Sequence, residues 1–130
     1  MPYHFEFDSE NKILLLVYGG DVQGEDIGKA GREQAQHVAR LKPTAGIADL
    51  SAVKTFDVSS QALRTAALQP SPYPDETPRF IVAPSDYLFG MARMYQILAN
   101  RPGEKLRVVR KRKEALAAVG ARDPKFERLE

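Results

Sequence analysis

The chain has 130 residues, a net charge of +2 and no cysteine. That length fits one domain with a core of its own, and the lack of cysteine excludes a disulfide framework, a thiolate metal site and a cysteine nucleophile. The longest apolar run, residues 13–18, is far too short to cross a membrane, and no signal peptide is recognisable, so we expect a cytoplasmic protein without a membrane span.

The first half of the chain predicts three strands and two helices. Strict alternation over residues 3–8 is typical of a strand with one buried face, and the continuous apolar run of residues 12–18 predicts a strand covered on both faces. Over residues 24–41, apolar positions recur every three or four residues, which predicts an amphipathic helix. Residues 45–50 then predict a third strand, and residues 59–69 predict a second helix.

The second half begins with a loop. Four prolines between residues 70 and 78 exclude a helix or a central strand there and predict an extended segment. Residues 79–83 predict a buried strand, and a third helix follows from a cap at Ser85 or Asp86 to about Asn100. A last strand and a last helix are predicted over residues 105–109 and 111–119.

The element order β-β-α-β-α-β-α-β-α indicates an α/β fold. Strands that alternate with helices imply a mostly parallel sheet with helices packed against it. We therefore predict one domain over residues 1–120, with a five-stranded mixed sheet and four helices. Residues 121–130 are half charged and are predicted to form a C-terminal tail.

Motifs for catalysis or cofactor binding are weak. His4 and His37 have no metal-binding spacing, and no glycine-rich phosphate loop follows a strand in the required form. Gly28 and Gly31 are interpreted instead as positions where a neighbouring strand approaches the helix closely. We therefore predict no enzyme, no cofactor and no metal.

Positive charge is concentrated near the end of the chain. This basic cluster comprises Arg101, Lys105, Arg107, Arg110, Lys111, Arg112 and Lys113. No aromatic side chains for base stacking alternate with it, so we interpret it as a solvated strand end and helix start and expect no nucleic-acid partner.

One stretch carries a resemblance to a known family. A strand ends in Asp49-Leu50-Ser51, and a short loop leads through Phe56-Asp57-Val58 to a helix that starts with two serines. Together with the element order over about residues 3–119, this resembles the STAS domain, the fold of bacterial anti-sigma-factor antagonists and of sulfate-transporter tails. The related lipid-binding CRAL-TRIO fold shares this layout.

The resemblance implies a site at the start of the second helix. In the antagonists a partner kinase phosphorylates the second serine of the motif, which falls on Ser59 here, so the implied phospho-acceptor and partner-binding residues are Asp49, Asp57, Ser59 and Ser60. A phosphate at a helix N-terminus would meet free N–H groups and would add close to −2 of charge to a contact surface. The alternative is that Asp57 and Ser59 only cap the helix.

The third predicted helix is apolar nearly all round. Beyond the stripe that faces the sheet, a second stripe is formed by Tyr87, Met91, Met94 and Leu98, and Gly90 would permit close approach of another helix. We expect this stripe to serve as a surface for a homodimer or another partner. The alternative is that the proline loop covers it.

These observations favour a non-catalytic, STAS-like regulatory module in the bacterial cytoplasm. We expect it to act as a phospho-switch of the anti-sigma-factor-antagonist type and to bind a protein partner, such as a kinase-type regulator. The alternative is a small carrier that holds an apolar ligand or lipid between the third helix and the sheet. For that carrier, the expected lining residues are Tyr73, Phe80, Phe89, Met91 and Met94.

Overall fold

The computed structural model describes residues 2–100 and 105–129, so Arg101 of the basic cluster and the terminal residues Met1 and Glu130 lie outside the described residues. The strands are β1 (Tyr3–Asp8), β2 (Ile13–Gln23), β3 (Ala45–Asp57), β4 (Pro78–Val82), β5 (Lys105–Val109) and β6 (Glu127–Arg128). The helices are α1 (Gly24–Leu41), α2 (Ser60–Ala67), α3 (Asp86–Ala99) and α4 (Arg112–Ala118).

The strands form one mixed, mostly parallel sheet in the order β5-β4-β3-β2-β1-β6. Strands β2 to β5 run parallel to one another, and β1 is antiparallel to both β2 and β6. The predicted α/β single domain with four helices is confirmed.

The two faces of the sheet carry separate cores. Helices α1, α2 and α3 connect successive parallel strands, and right-handed crossovers place all three on one face. The core on that face includes Leu14, Leu16 and Leu50 from the sheet. Helix α4 packs on the opposite face, where Ala115 contacts a core that includes Leu15 and other alternate strand residues.

Strand β3 is seven residues longer than the predicted segment, which ended at Leu50. Its pairing with β2 shifts register twice, and each shift leaves one extra residue on β3. Because of these bulges, Leu50, Val53 and Phe56 all contact the helix-covered core although they are spaced by three residues. Because a spacing of three does not match the strand period of two, the sequence pattern predicts a strand that ends at Leu50.

The predicted charged tail contains a sixth strand that the sequence pattern does not indicate. Strand β6 pairs with Glu6 and Phe7 of β1, and the Lys125 amide donates a hydrogen bond of 3.1 Å to the buried Asp8 carboxylate. Phe126 packs against the core on the α4 face. These contacts attach the end of the chain to the edge of the sheet.

Candidate functional site

A cleft of about 900 Å³ lies on the helix-covered face of the sheet. One wall is helix α1, the other wall is formed by α2, α3 and the proline loop, and strands β2 to β4 supply the floor. This volume is near the upper end of the ~300–1,000 Å³ typical of small-molecule sites.

The α1 wall of the cleft consists of small residues. Gly24, Gly28, Gly31 and Ala35 recur at helical spacing, and all four line the cleft. A Cβ at Gly31 would have no atom within 4 Å, and a Cβ at Gly28 would meet only Arg32 Nη1, at 3.6 Å. The interpretation that Gly28 and Gly31 permit close approach of a strand is therefore wrong, because these two glycines widen the cleft instead.

The proline loop inserts one aromatic ring into the cleft. Tyr73 is only 6% exposed, and its ring lies directly over Gly46 of β3, where any Cβ would overlap the hydroxyl group. The Gln34 amide of α1 donates a long hydrogen bond of 3.4 Å to the Tyr73 hydroxyl oxygen. Tyr73 therefore links the loop, the sheet and α1 at one end of the cleft.

Burial changes the acidity of this tyrosine. Removal from water raises the pKa of Tyr73 to about 12, because the phenolate would lose its hydration, and the Gln34 hydrogen bond and the Arg79 charge oppose that rise. The Arg79 guanidinium lies 6.0 Å from the centre of the Tyr73 ring. At physiological pH the cleft therefore contains a neutral phenol beside a cation.

The charged residues that line the cleft are Arg32 and Arg79, and no carboxylate lines it among the described residues. Arg32 is on α1, where its guanidinium folds back over Gly28. Sequence reasoning missed Arg32 and the small-residue wall. The spacing of Gly24, Gly28, Gly31 and Ala35, which places them on one helix face, is the sequence signal that could have identified this wall.

Only some of the residues that were predicted to hold an apolar ligand line the cleft. Tyr73 and Met91 do line the cleft. Phe80 is also among the residues that line the cleft, although its side chain packs in the core of the opposite face, where Arg107 lies 5.2 Å from its ring centre. Phe89 and Met94 pack against the edge of the helix-side core and do not line the cleft.

The predicted switch residues lie mainly at the start of α2. Ser59 is the N-cap, and its hydroxyl accepts a hydrogen bond of 3.0 Å from the Ala62 amide. Asp57 and Ser60 are exposed beside it, whereas Val58 is only 5% exposed and anchors the helix in the core.

Asp49 is separated from that group. It lies eight residues before Asp57 along β3, a strand length of about 26 Å at ~3.3 Å per residue. The Asp49 carboxylate is 2% exposed, accepts a 2.6 Å hydrogen bond from Arg112 Nε and accepts another, of 2.8 Å, from the Ser51 amide. These partners attach the start of α4 to the sheet and do not place Asp49 beside Ser59.

The second stripe of α3 divides into buried and exposed residues. Met91, Met94 and Leu98 are partly buried against the core, whereas Tyr87 is 60% exposed and Gly90 is also exposed. Ile97, which the sequence pattern does not assign to this stripe, is the most exposed large apolar side chain of the described residues, at 70%.

The histidines lie apart from the cleft. His4 shares a 2.6 Å contact with Glu6, and His37 packs 4.7 Å from the ring centre of Phe5. Within residues 2–100 and 105–129, no group of three or more histidine or acidic side chains is arranged to hold a metal ion. No helix of these residues has the length and apolarity needed to cross a membrane.

Comparisons with protein families, with curated proteins and with solved structures find no match for this chain. The described residues form an α/β fold with a mixed six-stranded sheet and four helices, and no family is identified.

Proposed function

We propose that this protein is a non-catalytic binding module that holds an apolar small molecule in the cleft between α1, α2, α3 and the sheet. The observation that carries the proposal is a wall of helix-interior glycines that have no packing partner. Gly28 and Gly31 each cost an α-helix about 1 kcal/mol relative to alanine. Since a Cβ would meet nothing at Gly31 and only Arg32 Nη1, at 3.6 Å, at Gly28, we attribute the wider cleft to these residues.

The floor of the cleft suits an apolar ligand. Leu16, Leu50 and Ile81 project from three adjacent strands on this face, and Ala48 lies between them. Burial of apolar ligand surface against such a floor contributes roughly 25 cal/mol per Å². The titratable lining groups are two arginines and the three tyrosines Tyr18, Tyr73 and Tyr95, and we assign no chemical step to the site.

The test combines a search for bound molecules with a binding titration. Organic extracts of the purified protein are analysed by mass spectrometry, and a neutral apolar dye such as Nile red is titrated into the protein. We expect a co-purified apolar compound and saturable dye binding.

Two variants at one position locate the site. Gly31→Phe places a large ring in the cleft and is expected to weaken dye binding about tenfold or more. The matched control Gly31→Ala adds only a methyl group, so it should weaken dye binding far less than Gly31→Phe and should gain up to about 1 kcal/mol in stability. Equal dye affinity in both variants would show that the cleft is not the binding site.

A second candidate function is the STAS-like phospho-switch, which is supported by the exposure of Ser59 and Ser60 at a helix start. Ser85 offers an internal control, because it caps α3 in the same way, with its hydroxyl accepting a hydrogen bond from the Leu88 amide at 3.1 Å. Phosphopeptide mass spectrometry of the protein from bacterial cells should find phosphate on Ser59 and not on Ser85. Phosphate on neither serine, or equally on both, would contradict a specific switch.

A further inference from the structure

We infer that the ligand of the cleft is a single-chain amphiphile whose anionic head group is bound by Arg32. This inference rests on the proposed function, because it names the chemical class of the molecule that the cleft holds.

Arg32 is the cation at the open side of the cleft. Its guanidinium lies above Gly28, where the helix wall has no side chain, so it borders the space that the small residues leave. No carboxylate of the described residues lies within salt-bridge distance of it, and its neighbour Glu33 accepts a 2.9 Å hydrogen bond from the Tyr3 hydroxyl.

Two other arginines, Arg110 and Arg112, form ion pairs with carboxylates. Arg112 binds the Asp49 carboxylate at 2.6 Å, and Arg110 binds the Asp86 carboxylate at 2.9 Å while it covers the Phe89 ring. The Arg32 guanidinium, by comparison, has no carboxylate partner among the described residues. A guanidinium presents paired N–H donors that match a carboxylate or phosphate head group.

The shape of the cleft indicates one apolar chain. The small-residue wall from Gly24 to Ala35 is about 16 Å long at 1.5 Å per residue. It faces a floor of aliphatic side chains, and Arg32 lies along it. An acyl chain in the cleft with its charged end at the guanidinium would place its methylene groups over the floor.

The experiment measures displacement of bound Nile red by three ligands that share one chain length. Palmitate and hexadecyl phosphate carry an anionic head, and 1-hexadecanol carries a neutral one. We expect palmitate or hexadecyl phosphate to displace the dye at about tenfold lower concentration than the alcohol. The difference should shrink at high salt, since the rim is solvent-exposed.

Two charge variants on α1 assign the preference to one residue. Arg32→Gln should remove the preference for the anionic ligands and leave displacement by the alcohol unchanged. Lys29→Gln removes the same charge from an exposed residue of α1 that does not line the cleft, and it should keep the preference.

The outcomes separate the two levels of the proposal. If the acid, the phosphate and the alcohol displace the dye equally, or if Arg32→Gln keeps the preference for anionic ligands, the anionic ligand class is wrong. The proposal of an apolar site is not contradicted by either result. Failure of the dye and of all three ligands to bind overturns the proposed function itself. Acetate and inorganic phosphate, which lack the chain, should not displace the dye, and displacement by either would overturn the amphiphile.

Discussion

At the start of α2, adjacent residues have opposite environments. Val58 is 5% exposed and contacts the helix-side core, whereas Ser60, two residues later, is exposed. Val58→Asp would place an unpaired carboxylate in that core, so we expect a loss of about 3 kcal/mol or more in the free energy of unfolding. Urea denaturation measures this loss.

Ser60→Asp is the matched control for that substitution. It adds the same charge at the first turn of the same helix, where a carboxylate is favoured by the helix dipole, so stability should change by less than about 0.5 kcal/mol. If Val58→Asp unfolds at the same urea concentration as Ser60→Asp, Val58 does not anchor the helix.

The buried phenol of Tyr73 makes stability depend on alkaline pH. Its pKa is raised to about 12 in the folded protein, against about 10 in an unfolded chain. Between these values the unfolded state releases a proton that the folded state retains, so stability is full below pH 10 and falls as pH rises towards 12. Tyr73→Phe should reduce the slope of this fall by up to about 1.4 kcal/mol per pH unit.

The comparison requires a tyrosine that folding does not bury. Tyr87 is 60% exposed, so Tyr87→Phe should leave the alkaline slope of the parent protein unchanged. Unfolding free energies from urea titrations at several pH values give the three slopes. A Tyr73→Phe slope equal to that of the parent would mean that the loop does not bury this hydroxyl.

At the scale of elements, local pattern determined which segments could be predicted. The bounds of α1 are confirmed over all 18 residues, because its apolar stripe is regular and Lys42, with a left-handed φ of 50°, ends it before a proline. The C-terminal half of β3 was missed because two bulges interrupt the alternation of buried and exposed residues. Strand β6 was missed because it has only two residues, which is too short to show an alternation.

The candidate site was predictable only in part for a related reason. Periodicity shows which residues of one element share a face, but it does not show which face of the sheet that element covers. Phe80 was therefore expected to pack beneath α3, whereas its side chain packs in the core of the opposite face, and Asp49 was grouped with Ser59 although the strand continues between them. The role of Gly28 and Gly31 depends on what lies opposite the helix, which only the tertiary structure shows.

The N-cap of α2 allows a stability prediction that does not depend on a partner. Ser59→Ala removes the acceptor of the Ala62 amide and should cost about 1 kcal/mol, whereas Ser59→Asp replaces one good cap by another and should cost only a few tenths. Urea denaturation of both variants tests this. Equal losses would show that the hydroxyl does not cap the helix in solution.

At the scale of the whole molecule, the two faces of the sheet are covered unequally. Three helices and the proline loop cover one face and enclose the cleft, while the seven-residue α4 and the segment that leads to β6 cover the other. The ion pair between the buried Asp49 and the partly exposed Arg112 attaches that thinner layer at its start, and the hydrogen bond from the Lys125 amide to Asp8 attaches it at its end. The sheet that forms the floor of the cleft is therefore covered on its opposite face as well.

The twofold dimer through α3 stays a prediction, and the structure changes the residues that test it. Tyr87, Gly90 and Ile97 share the exposed stripe of α3, whereas Met91 and Leu98 are partly buried in the protein's own core. A patch that is shared by two copies around a twofold axis covers itself, so we expect light scattering of the parent protein to give twice the mass of one chain.

The variant that tests the dimer combines Tyr87→Glu with Ile97→Glu, which places like charges across the expected axis and should give a folded monomer. Lys29→Glu, on the exposed side of α1, is the control that should stay dimeric. Met91→Glu with Leu98→Glu is expected to lower stability instead, because both side chains pack against the core. A parent protein with the mass of one chain at high micromolar concentration would contradict the dimer, and α3 would then serve only to wall the cleft.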